Sequence, residues 1–144
     1  MPNIIYTRGT ENTLLSTELN SLANNSNVVS TNVVTLANAG FFDGEAEIVF
    51  QFSVAPTVNT ALLIWFLREI DGTNYEDGSS TVTPTRNPDI FFTVRAVTSV
   101  QRIIKPVYNI PTGPIRTLLR NSGTGQALVS SANTLKIRPI TPSY

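Results

Sequence analysis

Glu45-Ala46-Glu47-Ile48-Val49-Phe50-Gln51-Phe52-Ser53-Val54 is the stretch on which the fold turns. Ala46, Ile48, Phe50, Phe52 and Val54 alternate with Glu45, Glu47, Gln51 and Ser53, and Val49 alone breaks the polar side. Successive side chains of a strand point to opposite faces, so this period of two predicts a strand with one face buried and one in water. A connection over 55–59 leads to Ala61-Leu62-Leu63-Ile64-Trp65-Phe66-Leu67, apolar at every position. A helix could carry such a run, but its aromatic and β-branched content between turn signals predicts a second strand. Both faces of that strand need cover. A second layer or the N-terminal segment would supply it if the strand is internal, which is the preferred reading; otherwise one face meets a partner.

Downstream, further strands are expected over 90–97, 101–108, 115–120 and 134–138. Pro106 lies inside one of them and should mark an edge, a bulge or an early end. Pro111, Gly113 and Pro114 form one turn cluster, and Ser122-Gly123-Thr124-Gly125 forms another. No repeated strand–helix unit occurs, so a parallel α/β sheet is disfavoured. The expectation is an all-β protein of about seven or eight strands, an antiparallel two-sheet sandwich of jelly-roll type, with an immunoglobulin-like sandwich as the alternative.

The first thirty residues differ in character. Residues 3–7 read as a short strand or extended arm. Residues 13–25 read as a short helix, because Leu15, Leu19 and Leu22 stand at i, i+4 and i+7. The division expected is therefore 1–30, an N-terminal arm and short helix, and 31–144, the β-sandwich domain. The helix either plugs one end of the sandwich, the preferred reading, or belongs to an arm that reaches a neighbouring subunit. In the second case Ile4, Ile5, Leu15 and Leu19 are the candidate interface residues.

The chain has 144 residues, 41% hydrophobic and 14% charged, with formal net charge zero. So few charges leave Asn, Thr, Ser and Gln to make the polar surface, which suits packing against other protein. Without a run of Lys or Arg, nucleic acid is not an expected partner. The apolar run 61–67 falls far short of the ~20 residues that span a bilayer, and no signal peptide is visible at the N-terminus. Cysteine and histidine are absent. Thiolate ligands, disulfides, Cys nucleophiles and the Ser-His-Asp arrangement are thereby excluded.

Other chemistries have weaker footing. A Ser–Lys pair would need Lys105 or Lys136, and no motif sets a serine beside either. Paired carboxylates for glycoside hydrolysis would come from Glu45, Glu47, Asp71, Glu76, Asp77 and Asp89, but Glu45 and Glu47 read as a solvated strand face. Asp71, Thr73 and Asp77 in Asp71-Gly72-Thr73-Asn74-Tyr75-Glu76-Asp77-Gly78 offer oxygens for a calcium ion, yet the pattern equally describes a turn. Gly123-Thr124-Gly125 lacks the following Lys of a phosphate loop. Trp65, Tyr75 and Tyr108 are candidates for a sugar-stacking platform, although Trp65 sits where core is expected. No cofactor, no metal and no enzymatic activity are expected.

Several segments in order carry a resemblance: 46–52; the Asp71–Gly78 loop; Phe92-Thr93-Val94-Arg95-Ala96-Val97 with Thr98-Ser99-Val100-Gln101-Arg102; Leu118-Leu119-Arg120-Asn121 with Ser122-Gly123-Thr124-Gly125-Gln126-Ala127-Leu128; and Ser131-Ala132-Asn133-Thr134-Leu135-Lys136-Ile137-Arg138-Pro139. Together with Leu19-Asn20-Ser21-Leu22-Ala23 they resemble a family of small virion structural proteins of tailed bacteriophages. The chain departs from that pattern at 62–66 and at the 139–144 tail. The resemblance implies a structural role on the outer surface of the virion, made in the host cytoplasm. The expected partners are the major capsid protein and copies of the chain itself, with a trimer as one arrangement that the resemblance implies. A capsid decoration or cement protein is the leading expectation. A tail, neck or fibre-associated protein with a carbohydrate- or receptor-binding role is the alternative.

Overall fold

The computed structural model describes residues 3–36 and 43–143. Ten strands occur among them: β1 (Ile5–Arg8), β2 (Asn12–Leu15), β3 (Asn27–Val29), β4 (Val34–Thr35), β5 (Asp43–Phe50), β6 (Ala61–Arg68), β7 (Ile90–Thr93), β8 (Gln101–Val107), β9 (Pro114–Ser122) and β10 (Thr134–Ser143). All pairings between them are antiparallel. One sheet runs β1-β10-β5-β8, with β2 following β1 along the same side of β10. The other runs β3-β9-β6-β7, with β4 beside β3 along β9. The chain passes between the sheets at six of these nine connections, staying within one sheet from β1 to β2, β3 to β4 and β6 to β7; with β1/β2 and β3/β4 each taken as one interrupted strand, the order is that of a jelly roll.

The alternation holds through β5 and on to the buried Phe52, but the strand ends at Phe50 and Val54, read on the buried face, is exposed. Gly44, Ala46, Ile48 and Phe50 are buried while Glu45, Glu47 and Val49 face water. Their partners from the other sheet are Leu62, Ile64 and Phe66 of β6 with Leu119 of β9, all in one core with Leu135 and Ile137 of β10. Each large apolar side chain so buried is worth about 1.5–3 kcal/mol. Gly44 is required where it stands, because a Cβ there would lie 2.6 Å from the Arg138 carbonyl oxygen of the adjacent strand. Pro106 sits on β8, an edge of its sheet, as its missing N–H demands. Pro139 lies within β10, where its carbonyl accepts from Gly9 N–H. The nitrogen and oxygen of one strand residue point to the same side, so the missing donor faces the gap where the chain leaves the ladder between β1 and β2.

The first thirty residues are woven into both sheets. β1 and β2 pair with β10, and β3 pairs with β9. Where a helix over 13–25 was expected, there is strand β2 and one 3₁₀ turn, Thr17–Leu19. Leu15, Leu19 and Leu22 nevertheless all enter the core. Ser21 and Asn25 take left-handed backbone conformations, φ 59° and 58°, which no helix accommodates.

The doubly apolar β6 is covered on its outer side by the long connection 69–89. Trp65, Leu67 and Leu118 form a second small core there, with Val29, Leu63 and Tyr75 against it. Gly78 lies flat on this cluster; a Cβ would meet Leu67 Cδ2 at 2.9 Å. Trp65 Nε1 donates to the Arg86 carbonyl at 3.0 Å. β7 pairs with β6 only as far as Ile64, and beyond it side chains replace the missing strand. Phe66 N–H donates to Asp89 Oδ2 at 2.6 Å, and Arg86 Nη2 donates to the Phe66 carbonyl at 2.9 Å.

Candidate functional site

The residues singled out as an interface divide into two pairs. Leu15 is 1% exposed and Leu19 is wholly buried, so both hold the sandwich together and offer nothing to a partner. Ile4 and Ile5 are 53% and 63% exposed, and Tyr6, which follows on the same strand edge, is 70% exposed. Tyr6 was passed over in the sequence because a lone tyrosine in an arm has no periodicity to mark it. Register with β10 places it opposite Pro142.

The polar face of the β1-β10-β5-β8 sheet is a shallow charged groove. Arg8 pairs with Glu45 at 3.4 Å, Arg102 with Glu47 at 2.8 Å, and Lys136 and Arg138 with Glu11 at 2.9 and 3.7 Å. The hydrogen bond from Lys136 holds the Glu11 carboxyl below its ordinary range. Glu47 is thus tied to an arginine on the neighbouring β8, and Glu45 to one on β1, reached across β10. The two lysines are also engaged: Lys136 as above, and Lys105 with its ammonium 4.0 Å from the Phe91 ring and donating to the Phe91 carbonyl.

The Asp71 loop is built as a turn. Asp71 Oδ1 accepts from the backbone N–H of Thr73 and of Asn74, and Oδ2 accepts from the Asn74 amide. The Asn74 bonds, then that of Thr73, lower the Asp71 carboxyl to about 2. No cluster of three or more acidic side chains able to hold a metal occurs among the described residues. The three aromatic residues considered for sugar stacking are not brought together. Trp65 is in the outer core, Tyr75 is half-buried under the Arg116 guanidinium at 4.9 Å, and Tyr108 stands exposed beyond β8 of the other sheet.

One end of the sandwich gathers four connections, 16–26, 51–60, 94–100 and 123–133. Register places their strand ends together: Ala61 lies opposite both Thr93 and Ser122, Phe50 opposite Gln101, and Val49 opposite Thr134. The connections are hydrogen-bonded to one another. Ser21 N–H donates to Val129 O, Thr57 N–H to Thr124 O and Val129 N–H to Gln51 O. Asn24 and Asn25 side chains accept from Gly125 N–H and Gly123 N–H, both at 2.9 Å. Gly123-Thr124-Gly125 is therefore a clamped turn, with φ of 69° and 73° at its glycines.

Three buried amides organise this end, and hydrophobic periodicity gave no sign of them. Asn121 donates to the carbonyls of Leu22 and Gln126 and accepts from Thr124 Oγ1. Asn133 donates to Asn20 Oδ1 and the Val129 carbonyl and accepts from Gln51 N–H. Gln101, wholly buried, accepts from Arg95 N–H and donates to Arg95 O, as a strand would.

No family model, no curated protein and no solved structure matches this chain.

Proposed function

We propose that the chain is a non-enzymatic structural protein of a tailed-phage particle, a decoration or cement protein that binds the major capsid protein lattice from its outer side. The observation that supports this reading is the run Ile4-Ile5-Tyr6, three consecutive large side chains each more than half exposed. Side chains alternate across a strand, so Ile5 faces one way and Ile4 and Tyr6 the other. A partner that wraps this edge would bury all three. The jelly-roll fold and the low charge of the chain agree with a protein that works by packing, as does the resemblance carried by its motifs.

The mechanism is linkage. A protein that binds an assembled lattice and not its separate subunits stabilises the lattice by mass action. Repetition over many equivalent sites lets weak individual contacts suffice. Since Leu15 and Leu19 are committed to the core, the contact on the capsid narrows to the start of β1.

Co-sedimentation with purified particles tests the reading. The double variant Ile4→Asp, Tyr6→Asp should bind at least about tenfold more weakly, a change of ~1.4 kcal/mol, with an unaltered circular dichroism spectrum. Unchanged binding would remove the β1 contact. Immunogold label spread over the head is the expected distribution of the protein. Label confined to neck, tail or fibres would overturn the capsid placement.

A further inference from the structure

Three aspartates of the chain stand directly before a glycine: Asp43-Gly44, Asp71-Gly72 and Asp77-Gly78. At such a pair the glycine amide nitrogen can attack the carboxyl carbon of the aspartate, since no Cβ on the glycine blocks its approach. The attack needs a carboxyl free to swing and a main chain free to turn. The fold withholds these from two of the pairs. The Asp71 carboxyl accepts from Asn74 N–H, the Asn74 amide and Thr73 N–H, and these bonds keep it charged and so a poor electrophile. The attacking group at that pair, Gly72 N–H, is itself donated to the Glu69 carboxylate. Gly44 lies inside β5 with a strand on either side, opposite Pro139 of β10 and Val107 of β8, and Asp43 Oδ1 accepts from Asn109 N–H.

Asp77-Gly78 is different. Asp77 is exposed at a bend of the 69–89 connection. Among the described residues, neither its carboxylate nor the Gly78 N–H has a hydrogen-bond or ion-pair partner. The chain is pinned on either side, by Glu76 N–H on the Arg68 carbonyl and Ser79 N–H on the Val82 carbonyl, so the unbonded stretch is this pair. Backbone freedom concentrates where such bonds are missing. We infer that Asp77 is the position at which the folded chain undergoes self-modification, by conversion to isoaspartate. The Gly78 nitrogen bonds to Asp77 Cγ and gives up its proton, and a carboxyl oxygen leaves as water, closing a succinimide ring. Water then adds to either ring carbonyl. Opening at the main-chain carbonyl carbon of Asp77 leaves the chain running through Cγ, which is isoaspartate; opening at Cγ restores aspartate. One water leaves and one returns, so mass is unchanged and no oxidant or reductant takes part.

Isoaspartate lengthens the main chain by one carbon at a place with no room for it. A Cβ on Gly78 would already stand 2.9 Å from Leu67 Cδ2 and 3.1 Å from Leu118 Cδ1. Close-packed interiors have little slack, so the added atom displaces Gly78 from the outer core of Trp65, Leu67 and Leu118. The cover over β6 is then loosened at its middle, while the bonds of Arg86 to Glu76 and Asp89 stay in place. The chemistry is the same whether or not the chain docks on a capsid.

Ageing of the purified full chain at near-neutral pH and body temperature over several weeks is the test. Electron-transfer fragmentation of its peptides, which separates isoaspartate from aspartate at equal mass, reads the three pairs individually. Isoaspartate should accumulate at Asp77 at least about tenfold faster than at Asp43 or Asp71, and in urea the three rates should converge to within about threefold. Asp77→Glu, whose longer side chain closes the larger ring far more slowly, should abolish the product at this position with the melting temperature preserved. Aged protein should be cut faster within 69–89 by limited proteolysis, and aged Asp77→Glu should not. Absence of isoaspartate at Asp77, or equal rates at the three pairs in the folded chain, overturns the inference. A preference for Asp77 that persists in urea also overturns it, because sequence neighbours and not the fold would then choose the site. Cleavage that rises equally in aged Asp77→Glu overturns the link to the cover over β6.

Discussion

Asn121 is wholly buried at the end of β9, and its one side chain makes three hydrogen bonds that tie the connections 16–26 and 123–133 together. A buried polar group without partners costs about 1–3 kcal/mol, so the loss of an amide that satisfies three others is felt at each of them. Asn121→Ala should lower the unfolding free energy by about 2–3 kcal/mol in urea titration, with the denaturant slope unchanged. A loss below about 0.5 kcal/mol would mean that water replaces the amide and that the loop end is not braced as described. Nothing in the sequence marked Asn121, Asn133 or Gln101 as special. An amide has no periodicity, and its value depends on which distant carbonyls the fold brings within reach.

The element that most needed tertiary structure is the connection 69–89. Its sequence reads as turns, and turns they are, but their role is to roof the outer side of β6. Arg86 is the latch. It meets Glu76 through two nitrogens at 2.9 and 3.0 Å, Asp89 at 3.0 Å and the Phe66 carbonyl at 2.9 Å. The Arg86 hydrogen bond is the main reason the Glu76 carboxyl lies below its ordinary range. Arg86→Ala should destabilise the protein by about 1–3 kcal/mol and speed limited proteolysis within 69–89 about tenfold or more. Arg68, 3.9 Å from Asp89 and half exposed, should cost less than about 0.5 kcal/mol when changed to Ala. Equal effects from both would show that simple charge balance, and not the latch, holds the roof. The N-terminal leucines teach the converse. Their spacing correctly marked Leu15, Leu19 and Leu22 as buried, yet the helix drawn through them is a strand and a single turn. Buried spacing does not specify a path when distant backbone supplies the hydrogen bonds, here Val129 O accepting from Ser21 N–H and Leu128 N–H donating to Leu22 O.

At the scale of the molecule, several carboxylates are stabilised in their charged form, which makes acid the condition that weakens the fold. Burial pushes Glu18 up, but the backbone N–H groups of Thr31 and Ser16 outweigh it and bring the carboxyl from 4.5 to about 2. The unfolded chain therefore binds more protons than the folded one in this window. Stability is full above the unfolded value and is lost as pH falls from about 4.5 towards 2. Glu18→Gln should flatten the dependence of unfolding free energy on pH across that window, and an unchanged slope would remove Glu18 from the cause. The sequence by itself determined the strand faces of β5 and β10, that Pro106 sits where its strand meets an edge, a bulge or an end, the two-sheet class and the apolar spacing of the N-terminal leucines. Those follow from alternation, from a missing donor and from hydrophobic spacing, which act over a few residues. Only the tertiary structure decided that β1 and β10 join the two ends of the chain, that 69–89 covers β6, and that four connections meet at one end. Each of these depends on contacts between residues far apart in the chain, whose free energy appears only when the sheets have closed on each other.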